Sequence, residues 1–61
     1  MKLIDFLNLY NGNTKVYVIN DKAKTLFAGN VFSAKFCDYK YNKVVSSKCY
    51  KNMIIIEVEF I

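Results

Sequence analysis

Apolar positions recur along this chain with two different periods. In "KLIDFLNLY" (residues 2–10), Leu3, Phe6, Leu7 and Tyr10 stand at i, i+3, i+4 and i+7. That is the stripe of a helix that buries one face. "NGNT" (11–14) ends it, since Gly12 or a neighbouring asparagine tolerates the left-handed conformation found beyond helix C-termini. The period then shifts to two. "TKVYVIN" (14–20) is β-branched and aromatic and predicts a strand. "NDKAK" (20–24) supplies a turn, and "TLFAGNVF" (25–32) predicts a second, antiparallel strand with Gly29 at its end or at a bulge.

A second helix is predicted over "AKFCDYKY" (34–41), with Ser33 as its N-cap. Phe36, Cys37 and Tyr41 then approach one face while Lys35 and Asp38 turn outward. The last third reads as a strand over 44–50, a tight turn at "YKN", and a strand over 53–60. In that last strand Ile54, Ile56, Val58 and Phe60 share one face, and Ile55, Glu57 and Glu59 share the other. The predicted order is α-β-β-α-β-β. Two hairpins joined by a helical crossing predict an α+β domain with a small four-stranded antiparallel sheet, either open or a partly closed barrel. Val16, Val18, Leu26, Ile54, Ile56 and Val58 are the sheet face that the first helix would cover.

Length sharpens this picture. A chain of 61 residues is one domain, 1–61, and buries only roughly 60% of the surface its unfolded form exposes. Yet 54% of its residues are hydrophobic, more than one thin sheet-and-helix layer can cover. "MIIIEVEFI" (53–61), left as a bare sheet edge, would be an aggregation template, so the expectation is a homodimer that covers it. No apolar run reaches the ~18 residues of a membrane span, and the N-terminal residues lack the order of a signal peptide. The chain therefore reads as cytoplasmic, with no membrane partner.

The formal charge is +4, and every positive residue is lysine. Lysine, asparagine, isoleucine and tyrosine are abundant while arginine, histidine, proline and tryptophan are missing, a bias that AT-rich codons produce. Lack of arginine weighs against base-specific reading of nucleic acid, because its guanidinium fork is the usual bidentate donor. Modest positive charge favours anionic partners in general.

Catalytic chemistry finds few candidates. Histidine, the usual acid–base group at neutral pH, is absent. Glu57 and Glu59 are the one close carboxylate pair and suit a solvated strand face. Ser33, Ser46 and Ser47 have no neighbouring base in the sequence. Two glycines cannot make a phosphate loop. Cys37 and Cys49, with eleven residues between them, form neither a zinc set nor a redox pair, and read as free thiols. The expectation is a protein that is not an enzyme and needs no cofactor or metal.

Binding is the remaining class. "KFCDYKYNK" (35–43) interleaves charge with rings, and Lys35, Tyr39, Lys40, Tyr41 and Lys43 are the candidate ligand-binding residues. A ring that stacks a base contributes ~1–3 kcal/mol, and the lysines would hold phosphate beside it. The same segment can instead close the core, with its lysines solvated.

Taken together, "MKLIDFLNLYNGNTKVYVIND", "LFAGNV" and the terminal "IIIEVEF" resemble short proteins encoded by phages and mobile elements of low-GC Gram-positive bacteria. The resemblance spans most of the chain and is one of pattern, without a signature residue. Where those proteins often carry an acidic, proline-containing helix start, this chain has "VFSAKF". The resemblance implies an accessory protein in the cytoplasm of a bacterial host. Small proteins of that kind include inhibitors or sponges of bacterial defence, which bind an immune protein or its signalling nucleotide. No functional residue carries over. The alternative is a nucleic-acid-binding protein of low specificity that uses lysines and aromatics.

Overall fold

The computed structural model describes residues 1–59. Phe60, expected on the core face of the last strand, and Ile61 lie outside the described residues. The elements are α1 (Leu3–Leu7), β1 (Lys15–Ile19), β2 (Thr25–Asn30), α2 (Val31–Ala34), β3 (Val44–Cys49) and β4 (Met53–Val58). The order α-β-β-α-β-β is the expected one.

The sheet differs from the expectation. Its four strands lie in the order β2-β1-β4-β3, as an open sheet with no barrel closure. Both hairpins are antiparallel, but they join through a parallel pair, β1 with β4, in which Lys15 stands beside Met53 and Ile19 beside Glu57. The sheet is therefore mixed rather than antiparallel. Burial explains the arrangement. β1 and β4 each bury every second side chain completely or nearly so, while β3 exposes five of its six residues. Placing the two most apolar strands side by side gives both the centre of the sheet and leaves the polar strands at its edges. β4 is consequently no bare edge, which removes the reason first given for dimerisation.

One sheet face carries Val16, Val18, Ile54, Ile56 and Val58, all buried beneath Leu3 and Leu7 of α1 and Val31 and Ala34 of α2. Each valine, leucine or isoleucine among them contributes ~1.5–3 kcal/mol on full burial. Leu26, Phe6 and Tyr10 pack half-buried at the margin of this core. The opposite face, with Lys15, Tyr17, Ile55 and Lys48, has no element over it among the described residues.

The helices are shorter than predicted. α1 stops at Leu7, and Gly12 does not take a left-handed conformation. Its carbonyl instead accepts the Phe32 backbone amide at 3.0 Å, and a Cβ there would meet that of Phe32 at an ordinary 3.4 Å. α2 begins earlier than expected because Asn30, not Ser33, is its cap. The Asn30 side chain accepts the Ser33 amide at 2.8 Å. Residues 35–42 form turns rather than a helix. Their carbonyls are used elsewhere: Lys40 and Asn42 accept the amides of Ile4 and Leu3, each at 2.8 Å. The first turn of α1 thus finds partners that no side chain of its own supplies. Gly29 marks neither the end of β2 nor its bulge; the register shift falls at Leu26, between the partners of Val18 and Ile19. None of the helices among the described residues is long and apolar enough to cross a membrane.

Candidate functional site

Parallel strands begin at the same end of a sheet. Because β1 and β4 are parallel, the loop entering β1 (residues 10–14) and the loop entering β4 (residues 50–52) lie next to each other. Between them is a cleft of about 400 Å³, within the ~300–1,000 Å³ range of small-molecule sites. One wall is Tyr10, Asn11, Asn13, Thr14 and Lys15; the other is Cys49, Tyr50, Lys51, Asn52, Met53 and Ile54.

The first wall is well anchored. Tyr10 follows α1, its amide bonded to the Leu7 carbonyl at 3.1 Å and its ring tilted against Phe6 at 5.4 Å. Asn11 folds the loop on itself, its side chain accepting the Asn13 amide at 3.0 Å and its carbonyl the Thr14 amide at 3.0 Å. Thr14 then accepts the Val31 amide at 2.8 Å, tying the loop to α2. On the second wall, a 2.7 Å bond from the Tyr50 amide to the Met53 carbonyl closes the β3–β4 turn. Tyr50 remains 55% exposed, so its ring is open to a planar ligand.

A 3.7 Å contact between the Tyr10 hydroxyl and the Cys49 sulfur bridges the two walls. That hydrogen bond, followed by burial and the charge of Cys49, raises the Tyr10 pKa above the ordinary 10.0. Tyr10 is therefore a neutral hydroxyl at physiological pH. Lys15 and Lys51 bring positive charge, three asparagines bring amide donors and acceptors, and no carboxylate is among the described residues that line the cleft. The set suits an anion attached to a flat ring. Among the described residues no cluster of His, Cys, Asp and Glu could hold a metal ion, and both cysteines are free thiols.

The residues singled out from sequence lie elsewhere. Tyr41 is exposed, with the Lys2 and Lys40 ammonium groups 5.6 and 5.2 Å from its ring centre. Lys40 and Tyr41 are thus brought together, joined by Lys2. Tyr39 packs half-buried against the core, and Lys35 caps the end of α2. Lys43 pairs with Lys2 in an isolated bridge and faces a smaller cleft that also holds Glu59. Phe36, expected in the core, is 71% exposed and meets Phe32 edge to face at 5.7 Å. Sequence reasoning missed the cleft, although one signal was present. "YNGNTK" and "YKN" each place tyrosine, asparagine and lysine just before an apolar strand.

No family profile matches this chain, and no curated protein or solved structure is detectably similar to it.

Proposed function

We propose that this chain is a small non-catalytic binding protein that sequesters an anionic nucleotide. Its resemblance to phage and mobile-element proteins supports a role as a sponge or inhibitor of bacterial defence, with the ligand a signalling nucleotide. The observation that carries the reading is the cleft between the β1 and β4 entry loops, lined by Lys15, Lys51, Tyr10 and Tyr50 with no carboxylate among the described residues around it. Lysine at two points can hold phosphate while a tyrosine stacks the base. A sponge needs nothing more, because it removes its ligand from solution without changing it.

Two other contacts belong to this proposal. The exposed Phe32–Phe36 pair is not among the residues that line the cleft and suits a protein contact, either with a host protein or with a second copy in a homodimer. The Lys2–Tyr41–Lys40 cluster favours the competing class, a nucleic-acid binder of low specificity.

Calorimetry with mononucleotides and with a single-stranded oligonucleotide, each at low and moderate salt, distinguishes the classes. A sponge binds the small nucleotide with a stoichiometric endpoint and releases it chemically intact. Binding confined to the oligonucleotide, and falling steeply with salt, would replace the proposal with the second class. Lys15→Ala and Lys51→Ala should each weaken nucleotide binding severalfold, whereas the triple change at Lys35, Lys40 and Lys43 should not.

A further inference from the structure

The cleft does not end at the loops. A second hollow on the open face of the sheet shares Asn13 and Lys15 with it and continues past Tyr17, bordered by Ala28 and Asn30. Lys15 and Tyr17 are two residues apart on one strand, so they face the same way with about 7 Å between their Cα atoms. Ala28 is the cross-strand partner of Tyr17 on β2. Its methyl group is too small to cover the phenol ring, and Tyr17 stays 38% exposed.

Resting on the nucleotide reading above, we infer that the ligand is a dinucleotide rather than a mononucleotide. One base lies against Tyr50 in the end cleft. The linking phosphate sits at Lys15, the one cation common to both hollows. The second base lies over Tyr17 on the open sheet face, beside Ala28. Tyrosine stacking is tolerant of base identity, so two adjoining hollows that share Lys15 and hold one tyrosine each select for two linked bases rather than for a sequence.

The test compares pApA with ADP, which has one base and about the same charge, by calorimetry on the intact protein. The expected result is pApA binding about tenfold tighter than ADP, the gain from stacking one further base. Tyr17→Ala should remove that advantage, bringing pApA affinity down to that of ADP measured on the same variant. Ala28→Phe, which fills the hollow over Tyr17 from the neighbouring strand, should do the same if Tyr17→Ala proves unstable. Equal binding of ADP and pApA would overturn the dinucleotide inference and leave the nucleotide reading standing. Binding of neither would overturn both.

Discussion

The Tyr10 hydroxyl and the Cys49 sulfur meet at 3.7 Å across 39 positions of sequence, joining the loop that enters β1 to the end of β3. This contact bridges the two walls of the cleft and makes Cys49 a reporter of its occupancy. Cys49 is exposed and Cys37 only half-buried, so a Cys37→Ala background isolates the first thiol. Alkylation of Cys49 by N-ethylmaleimide should abolish nucleotide binding, and bound nucleotide should slow the alkylation. Cys49→Ser, which retains a hydrogen-bonding group of similar size, should change affinity by no more than about twofold. Mass spectrometry of the labelled protein, alongside calorimetry, reads both outcomes; full binding by the alkylated protein would exclude the cleft.

The same contact predicts a pH dependence. The Tyr10 pKa is raised, chiefly by its hydrogen bond to Cys49, so the fold favours the neutral phenol. Any stability this contributes is fully present below the unfolded value near 10.0 and is lost as pH rises through the raised folded value. Absorbance titration of the five tyrosines should show one ionising later than the rest. Cys49→Ala should move that one back toward the others. An unchanged titration curve would mean the contact does not persist in solution.

The turn between β1 and β2 holds a correctable strain. Ala23 has a φ of 61°, in the left-handed region where its Cβ crowds the carbonyl. The turn survives because the Asn20 side chain accepts the Lys22 and Lys24 amides at 2.9 and 3.0 Å. Ala23→Gly removes the crowding but frees the unfolded chain, for a net gain of up to about 1 kcal/mol. Asn20→Ala should cost about 1 kcal/mol, since both exposed amides exchange the side-chain bond for one to water and the turn loses its brace. Denaturant melts of both variants measure the two effects; a destabilised Ala23→Gly would contradict the strain.

The Phe32–Phe36 pair should mediate any self-association. Both rings are largely exposed, at 63% and 71%, and they pack edge to face on the side of the molecule that carries the helices. Light scattering at micromolar concentration should give a dimer mass for the wild type and a monomer mass for Phe36→Lys, since an unpaired lysine is costly in an apolar contact. The helical core beneath should survive, because Phe36 is not among its buried residues. A monomeric wild type would confine these rings to a contact with another protein.

The local pattern of this chain determined its first helix, its four strands and most of its core, but not its second helix, which lies at Val31–Ala34 where a strand end was expected and not over 34–41. Alternation made Val16, Val18, Ile54, Ile56 and Val58 one buried face, and the helical stripe put Leu3 and Leu7 over it. Those signals are short-range: they follow from side-chain period and turn chemistry within a few residues. Which hairpin strand would meet which was not written locally. Seating the two most apolar strands together beneath both helices decided the strand order, while antiparallel and parallel joining bury the same alternating faces and so could not be told apart by pattern. The extent of α2 was likewise decided at a distance, by Asn30 and by the carbonyls of residues 40 and 42 turning to α1. The cleft followed from the pairing. Two loops 40 positions apart, "YNGNT" and "YKN", become neighbours only because β1 and β4 start from the same end of the sheet.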